Sequence, residues 1–116
     1  MAMLHVQSPW FEEIVAGRKI IEGRSGTYEE FSKYLGQDII ITNGIRTIRV
    51  TITHVEHFDS LREYLEKYWK EAASHTSSFE DAYDAYINVK KPDGSLVFRE
   101  ERVKQRGGIN ALFIKI

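Results

Sequence analysis

The densest set of chemically capable side chains lies between Gly17 and Arg24, in the spacing G-x-K-x-x-E-x-R. The lysine and the arginine are suited to gripping a phosphate or polarising a carbonyl, and the glutamate can accept from a base edge or a sugar hydroxyl. A glycine before a strand lets a ligand approach the backbone, or simply ends a helix. Strand alternation puts Glu22 and Arg24 on one face, and we expect Lys19 in the turn before the strand. The alternative interpretation is a surface salt bridge that contributes little to stability.

A second cationic group lies near the end of the chain. Residues 96–103 are predicted as a strand, and the basic residues 104–108 after it as a loop that contains glycine. On an extended chain the spacing i, i+2, i+4 places Arg102, Lys104 and Arg106 on one side, where they can hold a sugar-phosphate backbone. The alternative is a solvated loop that Glu100 and Glu101 partly neutralise. The predicted backbone contacts are therefore Arg46, Arg49, Arg99, Arg102, Lys104 and Arg106, of which the first two lie on a β-hairpin.

Metal chemistry has little support in the sequence. The chain has no cysteine, which excludes disulfides, a thiol nucleophile and thiolate zinc sites. His54 and His57 are three residues apart on a β segment, a poor spacing for two ligands, and no third ligand is evident. We therefore predict no metal site and no cofactor.

Aromatic side chains recur at helical spacing in the middle of the chain. Such a set can stack on bases, but helical spacing more often marks a face that packs on a core, and we predict packing. Trp10 is expected to pack in the core at the edge of the ligand pocket that the Gly17–Arg24 residues would form, where it could also stack on a ligand. The recurring set is Tyr64, Tyr68, Trp69, Tyr83 and Tyr86.

The elements that must position these residues alternate between helix and strand. Hydrophobic periodicity predicts helices at 10–15, 27–35, 61–72 and 79–86, and strands at 4–6, 19–24, 38–42, 46–55, 96–103 and 110–116. Ser8-Pro9 is a helix start, and capping boxes are predicted at Thr27/Glu30, Ser60/Glu63 and Ser77/Glu80. Asn43-Gly44 predicts a type I′ hairpin turn. This order indicates a mixed α+β fold with enough strands for a small barrel.

The composition is that of an ordinary globular protein. The chain has 116 residues, of which 42% are hydrophobic and 28% are charged, and its net charge is -1. Its apolar runs are too short for a membrane span, and its N-terminus lacks the pattern of a signal peptide, so we expect an intracellular, cytoplasmic protein with no membrane partner. Acids dominate residues 56–84 and bases dominate from residue 90 onward. This polarity can orient a polyanion, or it reflects two solvated surfaces of opposite sign.

The segment from Trp10 to Arg24 also carries a family resemblance. A helix with an early aromatic residue, followed by G-x-K-x-x-E-x-R entering a strand, resembles the ASCH domain, a branch of the PUA-like β-barrel superfamily. A Gly-Gln-Asp entry at 36–38 and a Gly-Gly-x-x-Ala-Leu strand at 107–112 fit the same family. The resemblance implies one ASCH domain over residues 1–116. Its expected fold is a small PUA-like β-barrel of about five to six mostly antiparallel strands, with an N-terminal helix and an inserted helical pair.

The resemblance implies that the chain binds RNA or a modified nucleoside or nucleotide. The ligand-binding residues would then be Trp10, Gly17, Lys19, Glu22 and Arg24, with a cleft between this segment and the inserted helices. Lys19 and Arg24 would contact a phosphate or a carbonyl oxygen, and Glu22 would read an amino or hydroxyl group.

Two further interpretations stay open. A small bacterial ASCH branch, which this chain resembles, hydrolyses N4-acetylcytidine with a lysine, a threonine and a glutamate. Lys19 matches that lysine, but Glu22 occupies the position of the threonine. Glu71 corresponds to the glutamate only by its approximate place in the chain. Ribonuclease activity would use Lys19, Glu22 and Arg24 as catalytic residues. Because Glu22 beside Lys19 favours an ammonium ion, the residues support binding more than this hydrolase. A protein-interaction module that works through the aromatic helices is the third interpretation.

Overall fold

The computed structural model describes residues 1–116 and contains one five-stranded mixed sheet that curls into a half-barrel. The strand order is β1-β3-β4-β5-β2; β1 pairs with β3 in parallel, and the other three pairs are antiparallel. The predicted α+β, PUA-like fold of mostly antiparallel strands is confirmed. The strands are β1 (Met3–His5), β2 (Ile21–Ser25), β3 (Asp38–Thr42), β4 (Thr47–Phe58) and β5 (Ile109–Lys115), and the helices are α1 (Trp10–Val15), α2 (Tyr28–Ser32), α3 (Leu61–Ala72), α4 (Phe79–Ile87) and α5 (Glu100–Gln105).

The β3–β4 hairpin forms as predicted, but its turn is of a different type. Gly44 has a φ of 96°, whereas no residue other than glycine has a positive φ, so Asn43 is not in the conformation that a type I′ turn requires. The connection is instead a four-residue loop from Asn43 to Arg46. The Asn43 side-chain oxygen accepts from the amides of Ile45 and Arg46 and holds this loop in place.

A β-bulge lies in the middle of β4. Strict alternation would carry the buried face from Val50 and Ile52 to His54. The register with β5 shifts between Ile52 and His54, so Val55 is buried and His54 is exposed. The bulge lets one long strand keep its apolar side chains in the core along its whole length.

Of the caps predicted for α1, α3 and α4, only the one at α3 forms at the expected residue. Ser60 accepts from the Glu63 amide as predicted. The second helix of the pair is capped by Ser78, which accepts from the Asp81 amide, and not by Ser77. At α1 the Ser8 hydroxyl donates to the Glu12 carboxylate and caps no amide, because Pro9 occupies the capping position.

The strand predicted over residues 96–103 is wrong. That region contributes one isolated bridge, between Lys90 and Leu96, and then the helix α5. Alternation on an extended chain therefore does not apply to Arg102, Lys104 and Arg106. On a helix, Arg102 and Arg106 are one turn apart, and Lys104 points away from both.

The core is one cluster of 22 buried apolar residues between the concave face of the sheet and the helices. Tyr64 and Tyr86 belong to it, and Tyr68, Trp69 and Tyr83 pack against it, which is the predicted packing. On the sheet side of α3, the Glu56 carboxylate accepts from Tyr68 Oη at 2.6 Å and from Lys67 Nζ at 2.7 Å. None of the helices is long and apolar enough to cross a membrane.

Candidate functional site

A cavity of about 660 Å³ lies where the two edge strands of the half-barrel face each other. β1 and β2 share no main-chain pairing; the Arg24 guanidinium on β2 bridges them by donating to the His5 carbonyl on β1. The cavity volume falls in the range typical of small-molecule sites. One wall is formed by His5 at the end of β1 with Val6 and Gln7 after it, and the opposite wall by Glu22, Gly23, Arg24 and Ser25 of β2.

The β2 edge offers backbone polar groups to this cavity. The Ile20 carbonyl accepts from the Ile114 amide, so by alternation Glu22 and Arg24 direct their backbone groups toward β5. The intervening residues Gly23 and Ser25 direct theirs away from β5, and the Gly23 amide faces the Tyr86 hydroxyl on this side. An edge strand of this kind can pair with a ligand through its main chain.

An aromatic wall closes the inner side of the cavity. Trp10 and Tyr86 meet edge to face with 4.9 Å between ring centroids, and Tyr86 and Phe98 meet at 5.1 Å. Phe31 contributes a further ring from α2. Trp10 and Tyr86 are buried, whereas Phe31 and Phe98 are partly exposed. The rings are thus steeply tilted against one another, and the accessible part of the wall, at Phe31 and Phe98, offers aromatic surface to a planar ligand.

Charge around the cavity is strongly asymmetric. Four cationic side chains line it, namely Arg24, Lys90, Lys91 and Arg106, against one carboxylate, that of Glu22. The two lysines and Arg106 are exposed and take part in none of the ion pairs of the molecule. Glu30 and Asp93 act on Arg106 and Lys91 only from beyond ion-pair distance, so these cations can attract an anion although the net charge of the whole chain is -1.

The Glu22 carboxylate is fixed between two cations. Its Oε2 lies 3.1 Å from Arg24 Nε and its Oε1 lies 3.4 Å from Lys19 Nζ. Each carboxylate oxygen can accept more than one hydrogen bond, so both cations leave room for a donor from the cavity. Glu22 and Arg24 share a face of β2, as strand alternation predicts.

Lys19 lies behind this carboxylate and not in the cavity wall. It is 1% exposed, and its ammonium donates to the Ile21 carbonyl at 2.5 Å and to the Ala72 carbonyl at 2.6 Å. The two carbonyls and the Glu22 carboxylate are three acceptors, one for each N–H donor of the Lys19 ammonium. Ala72 ends α3, where the helix dipole favours a cation, and the Trp10 ring lies 5.2 Å from Nζ.

Opposing effects act on the Lys19 charge. Burial lowers the pKa of the ammonium below its usual value, while the Glu22 carboxylate raises it and offsets part of that effect. A lysine that contacts a ligand needs free donors, but those of Lys19 are already used. Lys19 therefore holds Glu22 and ties β2 to the end of α3 in this structure.

A second layer supports the β2 wall from behind. The hydroxyls of Tyr64 and Tyr86 are 2.7 Å apart, and burial raises the pKa of both well above the usual range, with a further contribution from Glu22. Both hydroxyls stay protonated. A Cβ on Gly23 would lie 2.7 Å from the Tyr64 hydroxyl, so the close packing of β2 on this pair requires glycine.

Asn110 fixes the carboxyl end of β2. Its side chain is fully buried, donates to the carbonyls of Arg24, Gly26 and Thr27, and meets His57 Nδ1 at 3.0 Å. The chain turns away from the sheet at this point, and the amide replaces the ladder hydrogen bonds that are lost. Asn110 was not predicted as a site residue, because nothing local distinguishes it from other polar residues within a strand.

Several predicted site residues lie outside the cavity lining. Gly17, with a φ of 79°, ends α1. Arg49 pairs with Asp38 at 3.2 Å, and the Arg46 guanidinium lies over the Phe11 ring. Glu71 contributes its carbonyl to the Ile20 amide, not its carboxylate to the cavity. Of the six predicted backbone contacts only Arg106 lines the cavity, and Arg99, Arg102 and Lys104 do not.

Four residues that line the cavity were not among the predicted site residues. Gln7, Lys90, Lys91 and Phe98 come from segments without regular secondary structure. The Pro92-Asp93-Gly94-Ser95 run is typical of a turn. Nothing in it indicates that the turn folds back on the β1 edge. No group of His, Cys, Asp and Glu side chains is arranged to hold a metal ion.

Fold and site together define an α+β half-barrel of the PUA-like type with a cationic, aromatic cavity at the gap between its edge strands. The chain belongs to the ASCH domain family, whose pattern it matches over residues 4–104. No curated protein matches it.

Two solved structures share the fold. The crystal structure of hypothetical protein PH0355 is 26% identical, with a TM-score of 0.76 over 97% of this chain and 95% of that one. The solution structure of protein PF0455 from Pyrococcus furiosus is 23% identical, with a TM-score of 0.67 over 98% of this chain and 94% of that one.

Proposed function

We propose that this ASCH protein binds RNA, or a nucleotide unit of it, in the cavity between β1 and β2. The observation that carries the proposal is the combination of an aromatic wall with four cations and a single carboxylate that is held in place by Lys19 and Arg24. Planar bases stack on aromatic side chains, phosphates attract lysine and arginine, and a carboxylate accepts from an amino or hydroxyl group. The family, whose members are widely proposed to act on RNA, supports the same ligand class.

Each part of a nucleotide has a partner in this arrangement. The base stacks on the partly exposed Phe98 ring beside Trp10. Glu22 and the backbone groups of Ser25 that point away from β5 read its polar edge. Arg24 and the exposed cations contact the sugar-phosphate backbone, which makes the affinity dependent on salt.

The hydrolase interpretation has weaker support from the geometry. An N4-acetylcytidine amidohydrolase or a ribonuclease would need Lys19 to reach the ligand, but its ammonium is enclosed by three acceptors behind Glu22. Incubation with N4-acetylcytidine and with labelled RNA tests both reactions directly. Turnover that Glu22→Gln abolishes would replace the binding proposal with the corresponding enzyme.

Tryptophan fluorescence tests occupancy of the cavity. In a Trp69→Phe variant the remaining tryptophan is Trp10, which lines the cavity. We expect a mixed-sequence single-stranded RNA of nine nucleotides to change its emission saturably, and a DNA of the same sequence to report on the role of the 2′-hydroxyl.

A matched pair of phenylalanine variants locates the stacking surface. Phe98→Leu keeps the apolar bulk but removes the ring, and base–aromatic stacking is worth about 1–3 kcal/mol, so the affinity should fall about tenfold. Phe79→Leu, at a partly buried ring outside the cavity, should leave the affinity unchanged. If RNA leaves Trp10 emission unaffected, or if both variants behave alike, the cavity is not the binding site.

A further inference from the structure

The two edge strands that frame the cavity run in opposite directions. β1 is parallel to β3, and each of the pairs β3–β4, β4–β5 and β5–β2 is antiparallel. Three reversals from β3 to β2 make β2 antiparallel to β1. The carboxyl end of β1 and the carboxyl end of β2 therefore lie at opposite ends of the gap between them.

One pair of cations lies at the carboxyl end of β1. Gln7, just after β1, donates its side-chain amide to the Lys90 carbonyl at 3.1 Å. The turn after Lys90 is closed by two main-chain hydrogen bonds, from Gly94 to Lys91 and from Lys91 to Ser95. The exposed ammonium groups of Lys90 and Lys91 are therefore carried on a braced turn at this end of the cavity.

A third cation lies at the carboxyl end of β2. Arg106 follows α5 and precedes Gly107, which packs so closely on Thr27 that a Cβ there would lie 2.8 Å from the threonine methyl group. Thr27 comes two residues after the end of β2. Arg106 also lies close enough to Glu30 in α2 to act on it electrostatically. Between the two ends, Arg24 is already paired with Glu22.

We propose that the cavity binds an internal nucleotide of a single strand, with Lys90 and Lys91 contacting the phosphate on one side of the base and Arg106 the phosphate on the other. This inference rests on the function proposed above and narrows its ligand class. A free or terminal mononucleotide engages one end only. A duplex is excluded as the ligand, because a base reaches the recessed aromatic wall only when it is unstacked and unpaired.

Short ligands that differ in the number of phosphodiester groups test the proposal. The ligands compete with a fluorescein-labelled single-stranded RNA of nine nucleotides. The first ligand is an equimolar mixture of the four nucleoside 5′-monophosphates. The second is the trinucleotide UpNpU, in which N is a mixture of the four nucleosides. The third and fourth are UpNpU with the first or the second phosphodiester linkage replaced by a neutral methylphosphonate. We expect UpNpU to compete at least about tenfold better than the monophosphates, and each neutral linkage to lose about tenfold.

Variants then assign each linkage to an end of the cavity. The double variant Lys90→Gln, Lys91→Gln should lose affinity for UpNpU and become insensitive to neutralisation of one linkage, whereas Arg106→Gln should become insensitive to the other. The matched control is Lys104→Gln, at an exposed lysine of the same helical segment outside the cavity, which should change nothing. All four positions are exposed, so circular dichroism should report intact folds.

The outcomes separate the two proposals. If the monophosphates compete as well as UpNpU, or if both cation variants mask the same linkage, the two-ended contact is refuted while binding in the cavity stands. If neither the long RNA nor any short ligand binds, the proposed function is refuted, and the two-ended contact with it.

Discussion

Replacement of Lys19 by methionine tests whether this buried cation holds the site together. The variant removes an ammonium that donates to the Ile21 and Ala72 carbonyls and lies 3.4 Å from Glu22. A buried acceptor left without a donor costs about 1–3 kcal/mol, and breaking a buried ion pair from one side costs about 3–5 kcal/mol. Relief of the burial penalty on the ammonium offsets part of the sum. We expect the free energy of unfolding to fall by about 3–5 kcal/mol.

This decrease in the free energy of unfolding should be measurable by thermal and by urea denaturation. An unfolding entropy of roughly 2.1 cal/mol/K per residue gives about 0.24 kcal/mol/K for a chain of this length, so Tm should fall by about 12–20 °C. Urea unfolding followed by circular dichroism measures the same change, and an unchanged dependence on urea would show that the unfolded state is not altered. The control is Lys70→Met, at an exposed lysine of α3 that holds no carbonyl.

The ligand assay separates this supporting role from direct contact. Below its Tm the Lys19→Met protein should still bind RNA, because Arg24 continues to hold Glu22. A loss of less than about 1 kcal/mol of stability together with abolished binding would refute the reasoning. In that case Lys19 contacts the ligand, as the family motif implies.

Three further variants probe the surroundings of the site. Gly23→Ala forces a Cβ to 2.7 Å from the Tyr64 hydroxyl and should destabilise the protein by about 1–3 kcal/mol in chemical denaturation. Adding Tyr64→Phe, which removes that hydroxyl, should recover part of the loss. An unchanged stability of the alanine variant would contradict the packing described. Glu100→Gln weakens a carboxylate that accepts from two backbone amides at the start of α3, so Tm should fall by an amount equivalent to about 1 kcal/mol, and no change would show that these contacts contribute nothing. Burial raises the pKa of Glu56, but the hydrogen bonds from α3 lower it more, so the pKa lies below its usual value in the folded protein. The unfolded state therefore binds the proton more readily, and the stabilisation is present above the unfolded pKa of about 4.3 and lost as the pH falls through the folded pKa. Glu56→Gln should make unfolding less dependent on pH over this acidic range, and an unchanged pH profile would exclude the effect.

Local sequence signals predicted the parts of the fold that depend on neighbouring residues. The Ser60 cap and the apolar stripe of α3, the Thr27 capping box of α2 and the Asn43-Gly44 hairpin all involve residues within a few positions of one another. The choice of turn type was wrong because Asn43 uses its side chain to hold a longer loop. The cap of α4 was wrong by one residue, since Ser77 and Ser78 satisfy the same local pattern.

Features that depend on distant partners were not visible in the sequence. The short helix α5 was predicted as a strand, since Leu96 and Phe98 precede it in an alternating pattern and its own apolar residue, Val103, gives no periodicity. Lysine is usually exposed, and the burial of Lys19 depends on the carbonyl of Ala72, 53 residues further along the chain. The G-x-K-x-x-E-x-R spacing predicted that Glu22 and Arg24 share a face, but not that Lys19 lies behind them.

The cavity itself was predicted only through one of its walls. Residues 19–24 identified the β2 side, whereas Lys90, Lys91 and Phe98 reach the cavity because an irregular segment folds back on the β1 edge. Such a contact has no signature in hydrophobic periodicity. The excess of bases after residue 90 indicated a positive charge on this side of the molecule. Of the cations that line the cavity, Arg24 and Arg106 were predicted as contacts, whereas Lys90 and Lys91 were not.

The unpaired edges of β1 and β2 have a consequence for the behaviour of the protein at high concentration. Exposed strand edges are templates on which another chain can add a strand and begin to aggregate. Here the open edges face each other across the cavity that contains the charged groups of Glu22 and Arg24, and insertion of an apolar strand would strip both of water. The same two side chains that make the cavity receptive to a polar ligand therefore disfavour edge-to-edge association with another chain.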